Sequence, residues 1–302
     1  MKNISISFII SLCLAGTAAW TQTCSGIPTS SNYPQFSNEQ QITIDGYTGD
    51  AMEPFISSDG NYLFFNSLND GITTSLYYAE KSTDTLFVYK GEVNGVNGTA
   101  PHLDAVASMD NSGNFYFVST RNYPAVWENL QAGSFSSGTV ENIAPVPGDF
   151  YIRTTGWIIM DAEISRDGNA LYFVNAQFTG QPFPEESKLG IAEKTIADFT
   201  LIDSTAVLKK INNSNFLVYA PSVSSDGLEL YFTRIKKGTT ASEICVSVRK
   251  NSSLPFAEPV VLDIAGNMVE APSISADGNK LYYHKKSEQD GKYLIYIMER
   301  AQ

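Results

Sequence analysis

The chain is poor in the residue types from which most reactive centres are built. Its 302 residues include two histidines and three cysteines, and no HExxH, paired CxxC, GxSxG or glycine-rich phosphate loop occurs. Zinc hydrolysis, serine-hydrolase chemistry and nucleotide chemistry therefore lack their minimal parts. Positive charge is scarce too: 20 Lys and Arg stand against 32 Asp and Glu, a net charge of -12. Such a surface repels phosphate backbones and anionic lipid, so nucleic acid is not an expected partner. The plain consequence of the charge is a solvated surface, and the sharper one is attraction for a cation or a basic partner. Beyond the N-terminus no apolar run approaches the ~20 residues that span a bilayer, and no membrane span is expected.

The first twenty residues have the layout of an export signal. Lys2 supplies the positive end, Ile4 to Leu14 is largely apolar, and Thr17-Ala18-Ala19 offers small residues for cleavage. The expected organisation is a signal peptide over 1–19, an extension over 20–35 and one folded domain over 36–302. The mature protein is expected to be soluble, in the periplasm or outside the cell. Cys13 leaves with the signal, so Cys24 and Cys245 are the candidates for a single disulfide, and their spacing leaves the pairing open.

What the chain does have is repetition. The phrase EAPSISADGNKLYY (270–283) has four relatives: MEPFISSDGNYLFF (52–65), LDAVASMDNSGNFYF (103–117), MDAEISRDGNALYF (160–173) and YAPSVSSDGLELYF (219–232). Their turn glycines, Gly60, Gly113, Gly168, Gly227 and Gly278, are 53, 55, 59 and 51 residues apart. In each, a glycine that takes φ > 0 without a Cβ penalty closes a hairpin between two strand-like runs. The Met-Asp-Asn-Ser-Gly of the second copy reads as a longer turn. Third strands are expected at SLYYAE from Ser75, AVWENL from Ala125, KLGIAE from Lys188, EICVSV from Glu243 and YLIYIM from Tyr293. Fourth strands are expected at LFVYKGEV, GTVENIAPV, DSTAVLKKI and EPVVLDI.

Four antiparallel strands per ~50 residues, nearly free of helical spacing, is the pattern of propeller blades. The segment before the first hairpin, FSNEQQITIDGYTGDAMEP (36–54), mirrors FAEPVVLDIAGNMVEAP (256–272), while the chain stops at the third strand of the fifth copy. The predicted fold is therefore an all-β, five-bladed β-propeller of four-stranded blades. A strand around Gln41 to Ile44 is expected to complete the last blade and close the ring.

The copies resemble the TolB-type, WD-like β-propeller repeat, through Pro54-Phe55-Ile56-Ser57-Ser58-Asp59-Gly60, Pro221 to Gly227 and Pro272 to Gly278. Ala162 stands in the place of the Pro in the third copy, and Ser58, Arg166, Ser225 and Ala276 replace the family's Pro before Asp-Gly. The resemblance implies a scaffold, not an activity. The TolB protein has six blades and an extra α/β domain, so its own partner is not implied.

In a propeller the first strand of each blade lines the central channel. Seven residues before the turn glycines stand Glu53, Asp161, Ala220 and Ala271, with Asp104 as the counterpart in the second copy once its turn is taken as extended. His102, Glu163, Tyr219 and Glu270 adjoin these positions. Paired carboxylates at a channel mouth are what glycoside hydrolysis requires, one to protonate the leaving oxygen and one to activate water or attack. Glu53, Asp104 and Asp161 are the candidates, although acids at strand ends are as often plain hydrogen-bonding residues. GDFYIRTTGWIIMD (148–161) is long and aromatic, and its Arg153 and Trp157 are candidates to fold over the mouth. NAQFTGQPFPEESK (175–188) carries Phe178, Pro182, Phe183 and Pro184, which can anchor a partner or simply pack on the rim. Trp127 is expected in blade packing. Asn69-Asp70-Gly71 is a weak Ca²⁺ signal without the 12-residue EF-hand loop, so no cofactor is expected. The expected function is binding of a protein, peptide or glycan at the mouth, with a glycosidase as the alternative and an envelope assembly protein as a third class.

Overall fold

A computed structural model describes Tyr33, residues 35–196 and residues 198–301. The proposed signal peptide, most of the extension, and Cys13 and Cys24 lie outside the described residues. Cys245 is buried.

The ring begins with β1 (Phe36–Gln41) and β2 (Thr43–Asp45). Blade 1 holds β3 (Met52–Ile56), β4 (Tyr62–Asn66), β5 (Leu76–Lys81) and β6 (Leu86–Glu92). Blade 2 holds β7 (Asp104–Met109), β8 (Asn114–Ser119), β9 (Leu130–Ser136) and β10 (Thr139–Pro145). Blade 3 runs through β11 (Trp157–Ile164), β12 (Ala170–Gln177), β13 (Glu186–Lys194) and β14 (Phe199–Leu201). Blade 4 runs through β15 (Phe216–Val223), β16 (Glu229–Lys236), β17 (Ser242–Val248) and β18 (Val260–Val261). Blade 5 holds β19 (Asn267–Ile274), β20 (Lys280–Lys286) and β21 (Tyr293–Arg300), and β1 pairs antiparallel with β21 as its fourth strand. The chain is thus a five-bladed β-propeller closed by its N-terminal strand.

Three expectations about the strands need correction. The closing strand is Phe36–Gln41, while Thr43–Asp45, part of the segment expected to close the ring, pairs parallel with β6 and widens blade 1 to five strands. AVWENL is a turn, with Val126 N–H bonded to Asn122 O, and the third strand of blade 2 starts only at Leu130. Trp127 accordingly stands outside the strands, edge-on to Tyr123. DSTAVLKKI is no strand either: Leu208 N–H bonds to Ser204 O and Asn212 N–H to Leu208 O, a helical turn that buries Leu208 and Ile211 three residues apart. The fourth strand of blade 3 lies earlier, at Phe199–Leu201.

Five apolar clusters fill the spaces between neighbouring sheets. Phe64, Phe115 and Phe117 are among those between blades 1 and 2, and Val174, Leu189, Val218 and Phe232 lie between blades 3 and 4. A blade is therefore covered on both faces, which is why its strands read as consecutive apolar residues rather than alternating ones. The first strands pack side by side around the axis, β3 against β7, β7 against β11, β11 against β15, β15 against β19 and β19 against β3.

The repeated phrase supplies the bonds that hold this ring. At the turn, Ser57 Oγ donates to Asp59 Oδ1 at 2.6 Å and accepts from Tyr62 N at 2.9 Å, and Ser165, Ser224 and Ser275 repeat both bonds. The second turn is not longer but one residue shorter. Asp110 N–H bonds to Asn114 O, whereas Ser57 N–H reaches five residues on to Tyr62 O, and the Asp110 carboxylate takes over the work of the serine. The earlier serine of the phrase joins blades: Ser273 Oγ accepts from Ile56 N, Ser108 Oγ from Ile164 N and Ser222 Oγ from Ile274 N. Glu163 fills that place in blade 3, accepting from Val223 N at 2.7 Å.

Candidate functional site

Because the shortening of the second turn falls after Gly113, the count back along β7 is unchanged, and the channel position of blade 2 is Val106. Glu53, Val106, Asp161, Ala220 and Ala271 meet around the axis, with Pro54, Ala107, Ala162, Pro221 and Pro272 one step deeper. Four of the five have positive φ: Glu53 at 50°, Val106 at 58°, Ala220 at 48° and Ala271 at 54°. For residues with a Cβ this conformation carries a cost of order 1 kcal/mol or more.

The cost has a local reason. The register of each first strand slips at this point, and the N–H of each of these four residues is donated to the preceding blade. Glu53 N bonds to His284 Nδ1 at 3.0 Å, Val106 N to Asn66 Oδ1 at 3.1 Å, Ala220 N to Asp161 Oδ2 at 3.2 Å and Ala271 N to Thr233 Oγ1 at 2.9 Å. Asn66, Thr233 and His284 occupy one place, six residues after the turn glycine. Blade 3 has Val174 there, so the carboxylate of Asp161 serves instead.

The ring brings buried acids together. Asn66 also hydrogen-bonds the Glu53 carboxylate. Burial, then the charges of Asp161 and Glu270, push the Glu53 carboxyl well above its ordinary range. Burial raises Asp161 to about 7, against the pull of the Ala220 N–H, with Glu270 adding to the rise. Glu270 is fully buried, and His284 Nε2 stands 3.6 Å from its Oε2. Since Nδ1 of His284 accepts the Glu53 N–H, a neutral ring carries its proton on Nε2, toward Glu270. The Tyr219 hydroxyl, in a residue 6% exposed, lies near Glu270 without forming a full hydrogen bond, and burial and the surrounding acids raise its pKa. Deeper in the channel, burial lifts Glu163 to about 7.

The far end of the channel is crossed by one side chain. Arg166, in the blade 3 turn, donates from Nη1 to Ser58 Oγ at 2.8 Å and from Nη2 to Ile274 O at 2.6 Å, pinning blades 1 and 5 to blade 3.

Above the ring lies a recess floored by Glu53, Asp161 and Tyr219, with Leu103, Met160, Leu217 and Ile235 among its walls. Phe178, Pro182, Phe183 and Pro184 form its side, so the loop and the channel acids, separate features in the sequence, share one cavity. The loop is fastened at its base by Glu185 N to Gln177 O and Thr179 Oγ1 to Glu185 Oε1, both 2.8 Å or shorter.

Other candidates stand apart from this cavity. Asp104 is buried two residues before the ring, bound to Arg121 at 2.8 Å and to Gly98 N at 2.7 Å. Arg153 is exposed and paired with Glu128. Trp157 is half-buried at the start of β11 and does not line the recess, nor does His102. Asp70 Oδ1 is engaged by the N–H groups of Ile72 and Thr73, and among the described residues no three His, Cys, Asp or Glu converge as metal ligands. What the sequence reading missed was the role of His284, which caps Glu53 N–H, and of Arg166, which bridges blades 1 and 5. A polar residue at the same offset, directly after the apolar run of three second strands (LFF-Asn66, LYF-Thr233, LYY-His284), was the available signal for the first, and the departure from the turn pattern was the signal for the second.

No family model matches the chain, and no curated protein matches it. Solved structures do resemble it. The catalytic domain of the Coprinopsis cinerea GH62 alpha-L-arabinofuranosidase superposes with a TM-score of 0.57 at 9% identity, covering 89% of this chain and 97% of that one. The endo-arabinase from Bacteroides thetaiotaomicron VPI-5482 does so with a TM-score of 0.53 at 13% identity, over 87% and 98%. TolB from Acinetobacter baumannii gives 0.47 at 13% identity over 84% of this chain, which spans about half (55%) of that protein's length. At such identities the likeness is one of fold: the chain is a β-propeller. No helix among the described residues is long and apolar enough to cross a membrane.

Proposed function

We propose that the chain is an exported, non-catalytic binding propeller of the TolB-type repeat class, which recognises a protein, peptide or glycan at its channel mouth. The observation that carries this reading is the union of the Phe178, Pro182, Phe183 and Pro184 wall with the floor of Glu53, Asp161 and Tyr219 in one cavity. Concave, largely apolar sites with a few convergent polar groups are where proteins hold ligands. Non-catalytic binding is favoured because the acids have structural duties: Asp161 Oδ2 caps the Ala220 N–H, and Glu53 is bonded to Asn66. A screen of displayed peptides and arrayed glycans tests it. Phe183→Ala should abolish capture of the selected ligands, and ligands that bind the variant equally well would refute a mouth site.

One observation favours the glycosidase alternative. A carboxyl raised to about 7, as for Asp161, can carry a proton at neutral pH, as a general acid must. That reading predicts glycan turnover that disappears in Glu53→Gln and Asp161→Asn. Absence of turnover across the array would leave the binding reading.

A further inference from the structure

Three carboxylates, Glu53, Asp161 and Glu270, act on one another across the channel mouth, and the charges acting on Glu53 and Asp161 are those of other acids. Among the described residues no Lys or Arg forms an ion pair with any of the three. Arg121 is paired with Asp104, Arg234 through Nε with Glu243, and Arg166 is bonded to Ser58 and Ile274. A further polar group more than nine-tenths buried lacks a full hydrogen bond, the Tyr219 hydroxyl in the wall of the recess, while Glu270 faces His284 Nε2 at 3.6 Å. Buried charge without a counter-ion is expensive, and so is a buried hydroxyl without a partner. The path to this floor is apolar, between Phe178, Phe183, Pro184 and Leu217.

Resting on the mouth-binding reading, we infer that the ligand group taken into the recess is a primary ammonium on an unbranched apolar stem, as a lysine side chain of a protein or peptide partner presents. The stem lies along the Phe178 and Phe183 wall, as lysine stems do on apolar surface. The ammonium, with three donors and no acceptor, meets Glu53, Asp161 and the Tyr219 oxygen. The chain's net charge of -12 favours the approach of basic partners by long-range attraction.

The test titrates the full chain with n-hexylammonium chloride, 1-hexanol and calcium chloride, followed by ligand-observed NMR and calorimetry. Hexylammonium should bind saturably and at least tenfold more tightly than hexanol. Glu53→Gln, which keeps an oxygen for Asn66, should weaken hexylammonium at least tenfold while leaving hexanol unchanged. Should that variant fold poorly, Asp161→Asn keeps the acceptor for Ala220 N–H and carries the same expectation. Equal binding of alcohol and ammonium, no saturable binding of either, or Glu53-dependent binding of calcium alone would overturn the inference. A ligand from the array that needs Phe183 yet bears no basic group would overturn it too, while leaving mouth binding in place.

Discussion

Replacing Thr233 with Val separates hydrogen bonding from packing at the ring. The two side chains are nearly the same size, so no cavity opens, but the acceptor for Ala271 N–H at 2.9 Å disappears. Thr233 is fully buried and Ala271 is 5% exposed, so water cannot replace the lost partner without opening the blade interface. An unsatisfied buried N–H costs about 1–3 kcal/mol. Ala271 also has φ at 54°, a conformation whose cost this bond offsets, which places the expectation in the upper half of that range. With m of about 3 kcal/mol/M, a loss of 2 kcal/mol lowers the urea midpoint by about 0.7 M. Thr233→Ser, which keeps the oxygen and loses a methyl, should cost about 1 kcal/mol or less. A Thr233→Val protein within 0.5 kcal/mol of wild type, or a Ser variant worse than the Val variant, would show that these bonds do not hold the ring.

Other perturbations follow from the same geometry. Glu163 rises from 4.5 to about 7 by burial, so the folded chain holds its proton more tightly than the unfolded one. Its stabilising contribution is complete below pH 4.5 and is lost as pH climbs to about 7, by an amount on the order of 3 kcal/mol. Glu163→Gln retains an acceptor for Val223 N–H and should flatten that part of a urea-midpoint-against-pH curve; an unchanged curve would contradict the assignment. Arg166→Met removes two charge-assisted bonds across the channel and should cost about 2–4 kcal/mol in chemical denaturation; a loss below 0.5 kcal/mol would mean the pin is idle. Deleting Phe36 to Gln41 exposes the edge of β21 and unpacks Phe36 from Tyr231, and it should cost more stability than deleting Thr43 to Asp45; the reverse order would refute closure by β1.

The blade count, the hairpins and the closure by the N-terminal segment were legible because each depends on a local signal repeated five times. Offsets within the copies were less so. Asp110 doing the work of a serine made the second turn read as longer, which displaced the channel position from Val106 to Asp104. The outer strands were misplaced where packing overrides local pattern, as at Leu208 and Ile211, whose helical turn buries two residues that also fit a strand. The site was half legible. The acids and the Phe178 to Pro184 loop each stood out, but nothing local says that a loop of blade 3 reaches over a floor shared by blades 1, 3 and 4. The role of His284 was not legible because it is to accept a bond from Glu53, 231 residues away in the chain.

Whether the mouth is the working face can be read from methionine methyl resonances. Met160 lines the recess, whereas Met109 lies beside the turn at the opposite face. Titrating methyl-labelled protein with a ligand selected from the peptide or glycan screen should shift Met160 saturably and leave Met109 in place. A saturable shift at Met109 with Met160 unmoved would put the binding surface on the wrong end of the propeller and contradict the account.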